Sequence, residues 1–330
     1  MPHAVIRFDL RQPGREPREV QQAYATAVEM AEWADAKGFD LAVLSEHHGS
    51  PDGYLTSPLV LGAAIAARTT RIPINVAALL VPLHDPIRLA EDITALDLIS
   101  NGRVSFVAGL GYRPIEYAMV GQEWSRRGKR MDENLEVMLK AWSGEPFEHN
   151  GETIVVTPRP VQQPHPPVYI GGSAPATAKR AARFGFGLFP PTADSELVDL
   201  YKAECERLGK KPGYIALPGG PGTLFVSEDP DKLWAEIGEH LLHDATTYTS
   251  WQPEGQSSHV SAYGTTVEEL RAEGVYQILT PEECVALGAE LGRVGAFTHH
   301  PLCGGVPADA GWASLELFVD KVLPRVRGRS

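Results

Sequence analysis

Four apolar residues in a row, Leu41-Ala42-Val43-Leu44, stand between a helical stretch and the titratable triplet Glu46-His47-His48. That arrangement narrows the folds open to this chain more than any other feature. A run with no polar face reads as a strand buried on both sides. Before it, residues 17–37 place Val20, Ala23, Tyr24, Ala27, Ala31 and Ala34 three and four apart, the apolar face of a helix that Gly38 ends. The same beat returns along the chain. Strands at 4–10, 72–81, 104–108, 166–170, 186–189, 214–226 and 295–298 alternate with helices at 58–68, 127–142, 175–184, 195–208, 232–242, 281–291 and 311–323. A further helix starts at Pro86 behind a capping Asp85 and stops at Asn101-Gly102. Close to eight strand-then-helix units, with no GxGxxG after the first strand, favour an α/β fold of one kind. It is a single (β/α)8 TIM barrel over residues 1–330 rather than a doubly wound dinucleotide fold.

Two stretches break the rhythm. Residues 144–166 alternate Gly, Pro and β-branched residues and read as a small hairpin insertion. Residues 245–263, rich in Thr, Ser, Gln, Gly and Tyr, read as a long loop: a lid, an interface or a disordered segment. The formal charge of −12, from 30 basic and 42 acidic residues, argues against a nucleic-acid or acidic-membrane partner. Three cysteines without CxxC spacing suggest neither a disulfide framework nor a zinc site. No basic-then-apolar start and no membrane-length run is present, so a cytoplasmic protein is expected.

Ligands in barrels of this type bind at the carboxyl ends of the strands, which is where the Glu46-His47-His48 triplet falls. Two histidines opening a loop also fit an ordinary surface. Gly109 and Gly111, after the fourth strand, either admit a flat ligand to the backbone or simply make a tight turn. Gly171-Gly172-Ser173 leads into a helix at Pro175, an order that offers free N–H groups and a helix dipole to a phosphate at Ser173 and Thr177.

In combination, these residues resemble the bacterial luciferase-like monooxygenases, the flavin- or deazaflavin-dependent (β/α)8 oxidoreductases. The resemblance rests on Glu46-His47-His48, on residues 77–86 with Glu91-Asp92, and on Ser100-Asn101-Gly102-Arg103. It rests also on Arg113, Arg126 and Arg127, on residues 170–177 with 181–185, and on His300-Pro301-Leu302 with Gly304-Gly305. It spans nearly the whole chain. It implies that His47 is the catalytic histidine beside the flavin, with Glu46 next to it holding the imidazole tautomer or else pairing with an arginine. Ala77 and Ala78 match a third strand that often carries a non-proline cis peptide and a bulge against the isoalloxazine. Gly109 matches the position under the reactive edge of the flavin. Gly171, Gly172, Ser173, Thr177 and Arg127 match the phosphate site, with Arg113 a substitute ligand. Luciferase itself has cysteine and arginine where Gly109 and Leu110 stand, and a serine where Ala174 stands, so light emission is not expected.

The reaction so implied is oxygenation of a small organic substrate by reduced FMN and O2 through a flavin C4a-peroxide. Water must be kept from that adduct, and a group such as His47 must handle its proton. A separate reductase would deliver the reduced FMN by diffusion. In the family's other branch, coenzyme F₄₂₀ transfers hydride without oxygen; the basic cluster Arg126, Arg127, Lys129, Arg130 suits either cofactor's anionic tail. Two other readings stand beside these. A metal-dependent barrel hydrolase would use His47 and His48 with His84, His299 or His300, although adjacent histidines diverge on a strand and no metal ligand set is expected. A non-catalytic flavin-binding protein would keep the pocket alone. A homodimer is compatible with all of them.

Overall fold

The computed structural model describes residues 1–253 and 255–328. Its strands and helices alternate: β1 (His3–Phe8), α1 (Pro17–Lys37), β2 (Leu41–Leu44), α2 (Pro58–Arg68), β3 (Ile74–Leu79), α3 (Pro86–Ser100) and β4 (Val104–Ala108). There follow α4 (Pro114–Met119), α5 (Arg127–Ser143), a hairpin of β5 (Phe147–His149) and β6 (Glu152–Ile154), β7 (Val168–Gly171), α6 (Pro175–Phe184) and β8 (Gly187–Phe189). The last third holds α7 (Ser195–Arg207), β9 (Thr223–Val226), α8 (Pro230–Ser250), α9 (Val267–Glu273), β10 (Tyr276–Leu279), α10 (Pro281–Leu291), β11 (Ala296–His299) and α11 (Ala308–Leu317).

Nine strands form one parallel sheet in the order β10-β9-β11-β1-β2-β3-β4-β7-β8, and the hairpin stands apart as its own antiparallel pair. The segment between β8 and β9 closes the sheet into a barrel. At the β8 edge Leu188 N–H donates to Tyr214 O and Ala216 N–H to Leu188 O; on the far side, Ala296 N–H of β11 donates to Gly219 O. Helix-facing residues carry the core. Ala4, Ile6, Phe8, Ala42 and Leu44 pack on Ala27, Met30, Ala31 and Ala34 of α1, leaving the alternate strand residues to face the barrel's interior. Asp85 caps α3 as its side chain accepts from Ile87 N and Arg88 N. Among the described residues, no helix is long and apolar enough to cross a membrane.

Two expectations need correction. Residues 245–250 are helix, not loop, because α8 continues to Ser250. Threonines and serines are poor helix formers on their own. Here Thr246 and Thr249 turn their hydroxyls back onto Leu242 O and Ala245 O at 2.7 and 2.9 Å, while Asp244 and Ala245 are buried. Beyond it, residues 258–261 are bonded in: His259 N–H reaches Pro191 O at 2.8 Å, and Ser261 bonds Ser258 and Gln252; position 254 lies outside the described residues. The second correction is a ninth strand. Residues 276–279, short and directly before a proline-started helix, form β10, which pairs with β9 outside the expected eight.

Candidate active site

Where β2 ends, the chain turns its side chains to opposite sides of the barrel mouth. Glu46 is buried, and its Oε1 meets both His48 Nε2 at 3.0 Å and His84 Nε2 at 2.8 Å, while Oε2 accepts from Leu80 N–H at 2.5 Å. Burial works against the ionised form, but the bonds from the two histidines and the Leu80 amide outweigh it and hold the carboxyl at about 2. The same contact raises the His48 proton affinity. Glu46 thus clamps the loops after β2 and β3 together. It bonds His48 and His84 rather than His47, contrary to the sequence expectation, and pairs with no arginine among the described residues.

The partner of His47 is Glu116 on α4. Its Oε1 lies 2.8 Å from His47 Nδ1, accepts from His48 N–H at 3.0 Å and receives Arg113 Nη1 at 3.4 Å. An oxygen already accepting a backbone N–H takes its next bond from a donor, so Nδ1 carries the proton and Nε2 is left as an acceptor. Tyr112 Oη stands 3.0 Å from that Nε2. Burial lowers the His47 proton affinity, Glu116 opposes this, and Arg113 and Arg11 add to it; the net is a ring that stays neutral at pH 7. Burial keeps the Tyr112 phenol protonated, with Tyr248, Tyr54 and Glu116 adding to the effect. The result is a directed chain, Tyr112 to His47 to Glu116.

Aromatic rings enclose it. Tyr54, Tyr112 and Trp251 lie 4.9, 5.2 and 5.1 Å from the His47 ring. Trp251, just past the end of α8, is itself covered by two guanidiniums, Arg113 at 4.0 Å and Arg11 at 4.4 Å. Arg11 is fully buried and ion-paired to Asp52 at 2.5 Å and Asp244 at 2.9 Å, joining the loops after β1 and β2 to α8. Arg113 donates to His48 O at 2.6 Å, so its bonds serve the His47 loop and not the start of α6.

Across the mouth, the Ala77–Ala78 peptide is cis and the β3–β4 register slips between Ala77 and Leu79. A Cβ on Gly109 would stand 2.7 Å from the Ala78 Cβ, so glycine is needed here for strand packing whatever binds above. Gly171 is hemmed in likewise by Val107, and Gly172, at φ +131°, has the Thr177 hydroxyl where a Cβ would go. Thr177 is buried and Ser173 exposed; α6 has no side-chain cap and no acid in its first turn. Pro175 has no N–H and Thr177 N–H already reaches Ala174 O at 2.8 Å, so of the first turn the Ala176 amide is the one left for an anion. Arg180 ties α6 to the first turn of α5 through Gly128 O and Asp132, and Arg127 lies in that turn, stacked on Trp124.

Compared with known proteins, residues 5–286 match the model of the luciferase-like monooxygenases. The chain belongs to this family. Within it, the flavin-dependent trigonelline monooxygenase oxygenase component of Acinetobacter baylyi is 28% identical over 50% of this chain and 48% of its own. The chain spans about half the length of the curated relatives it matches. Monooxygenase RslO1 of Streptomyces bottropensis superposes with a TM-score of 0.76 at 24% identity, covering 98% of this chain and 99% of that one. The oxygenating constituent of 3,6-diketocamphane monooxygenase from Pseudomonas putida, solved with FMN, gives 0.73 at 20% identity, covering 98% of each. Both share the barrel fold.

Other arrangements considered for this luciferase-like barrel do not assemble. The basic cluster is dispersed: Arg130 is bonded to Pro82 O and His84 O, and Lys129 reaches Glu133 at 3.5 Å. His299 faces the helix layer against Phe39 and Phe318, and His300 pairs with Asp9 at 3.1 Å, away from His48 and His84. Among the described residues, the one trio of potential ligand atoms close enough to share an ion is Asp244, His300 and Cys303, and Arg11 already occupies Asp244. Sequence reasoning missed Glu116, Arg11 and Trp251. A signal for Glu116 was available: Arg113-Pro114-Ile115-Glu116 has proline at a helix start with an acid in the first turn, directly after the glycine turn.

Proposed function

We propose that this chain is the oxygenase of a two-component system, taking reduced FMN from a separate flavin reductase by diffusion and using O2 to oxygenate a small organic substrate. The observation that carries the reading is the Tyr112–His47–Glu116 chain of hydrogen bonds. It stands at the carboxyl ends of the strands, as do the Ala77–Ala78 bulge, Gly109 and the open start of α6. The relatives described as an oxygenase component and as an oxygenating constituent with FMN support it.

The residues fit such a cofactor. Gly171, Gly172, Ser173, the Thr177 hydroxyl and the Ala176 amide, with Arg127, would hold the phosphate; Ala77, Ala78 and Gly109 would bear the ring. Bound reduced FMN would supply the electrons that activate O2. The chain's own side chains do the rest. Neutral His47 accepts a proton at Nε2 by way of the Tyr112 hydroxyl, and Glu116 steadies the imidazolium so formed. Trp251 and Tyr54 cover the imidazole and exclude water. Arg113 fixes the loop that presents His47.

Anaerobic titration of the protein with reduced FMN and with reduced coenzyme F₄₂₀, read by fluorescence, tests this. Tight binding of FMN alone is expected. Preference for the deazaflavin would make the chain a hydride-transfer enzyme, and binding of neither would remove the flavin reading.

A further inference from the structure

One cation of the barrel interior has been left without work. On β1, Ala4, Ile6 and Phe8 belong to the helix-facing core, so Arg7 points inward. Its register partner is Val43, which pairs with Asn75, which pairs with Ser105. Layers of a filled barrel are made of bulky branched side chains. This row places Asn75 and Ser105 beside Val43 and Arg7 instead, with Asn75 donating to Ser105 Oγ at 2.8 Å, and Arg7, Val43 and Ser105 are each partly exposed.

Arg7 makes no hydrogen bond and no ion pair to any described residue, and its Nε is wholly buried without a partner. Every other guanidinium of the mouth is engaged: Arg11 by Asp52 and Asp244, Arg113 by Glu116 and His48 O. Burial disfavours the Arg7 charge, but Tyr54, Asp9, Asp244 and Tyr248 more than restore it, so the group is a cation at every working pH. Asp9 and Asp244 offset this charge without bonding it, so what the guanidinium lacks is a hydrogen-bond partner. Aromatic rings stand around it as well. Tyr54 and Tyr248 lie within its field, as does His259, whose proton affinity burial and then Arg7 lower. Tyr54 continues to His47, and Tyr248 to Tyr112 at 6.3 Å.

We propose that Arg7 is the receptor for a carboxylate on the organic substrate, and that the substrate is a planar acid held between the tyrosine walls with its reacting end toward Tyr112 and His47. This rests on the flavin reading of the same mouth. A forked guanidinium matches a carboxylate with two parallel bonds, and the rings accept a flat body.

The test is calorimetric titration at pH 7.5 of FMN-saturated and of flavin-free protein with two matched pairs, benzoate against benzamide and 2-naphthoate against 2-naphthamide. The acids should bind at least about tenfold more tightly than the isosteric amides. Arg7→Met should abolish that preference, Arg7→Lys should keep part of it, and FMN affinity should change less than about twofold in either. Equal affinity for acid and amide in the unaltered protein, or no binding of any probe, overturns the proposal. So does a preference that survives in Arg7→Met, or loss of FMN binding in that variant, which would give the guanidinium to the flavin. If FMN itself fails to bind while the acid preference appears and vanishes with Arg7, the carboxylate site stands and the flavin reading falls.

Discussion

Replacing Glu116 with glutamine probes the site most directly. The amide keeps an acceptor oxygen for His48 N–H but loses the charge that Oε1 shares among His47 Nδ1 at 2.8 Å, His48 N at 3.0 Å and Arg113 at 3.4 Å. Hydrogen bonds to a charged group contribute about 1.5–3 kcal/mol and neutral ones about 0.5–1.5, so the two short contacts lose roughly 1 kcal/mol each. Only the His47 contact bears on a protonated His47, and about 1 kcal/mol lost there is roughly a fivefold loss in rate, since about 1.4 kcal/mol is tenfold. The sign on pH follows. Glu116 raises the His47 proton affinity against burial, so its removal lowers that affinity further and moves the acidic limb of the rate profile to lower pH. Stopped-flow reoxidation of bound reduced FMN, with hydrogen peroxide counted in parallel, gives the rate; nitrogen-15 NMR of the histidines gives the titration. A Glu116→Gln protein that keeps the original rate, with an unmoved His47 resonance, would refute the relay.

Changing His47 to Gln should lower turnover about 10²–10⁴-fold while FMN affinity stays within a few-fold; equal losses in both would show a binding role only. Glu46→Gln separates clamp from catalysis by pH. The native carboxyl is depressed to about 2, so its stabilisation is complete above the unfolded value of 4.5 and fades as pH falls through about 2. The gap in Tm between the two proteins should therefore narrow across that acid range, and a gap constant with pH would contradict the clamp. Gly109→Ala forces a Cβ to 2.7 Å from the Ala78 Cβ and should cost about 1–3 kcal/mol by urea titration; an unchanged midpoint would mean the bulge yields freely.

Elements with strong periodicity and chemical stops could be read from the sequence almost to the residue. Residues 17–37, 58–68, 104–108 and 175–184 lie where their apolar spacing, prolines and glycines put them. The His47 position was legible because a buried run must end at one edge of such a barrel. Its true partner was not, because Glu116 lies 69 residues away and the pairing exists only once β2 and α4 meet. Adjacency made Glu46 look like the partner, yet neighbours on an extended chain point apart. The helical 245–250 escaped because propensity disfavours its threonines, and the back-bonding that rescues them needs the helix to exist first.

The alternation along β1 to β4 divides labour between stability and selectivity. Residues facing the helices, such as Ile6, Ala42, Val76 and Phe106, are buried in the hydrophobic core, whereas Arg7, Val43, Asn75 and Ser105 share a row outside it. Evolution, or a combinatorial library confined to those four positions, can therefore try new substrates without drawing on the folding free energy that the other face supplies. A barrel arranged this way can diversify quickly, one inward side chain at a time.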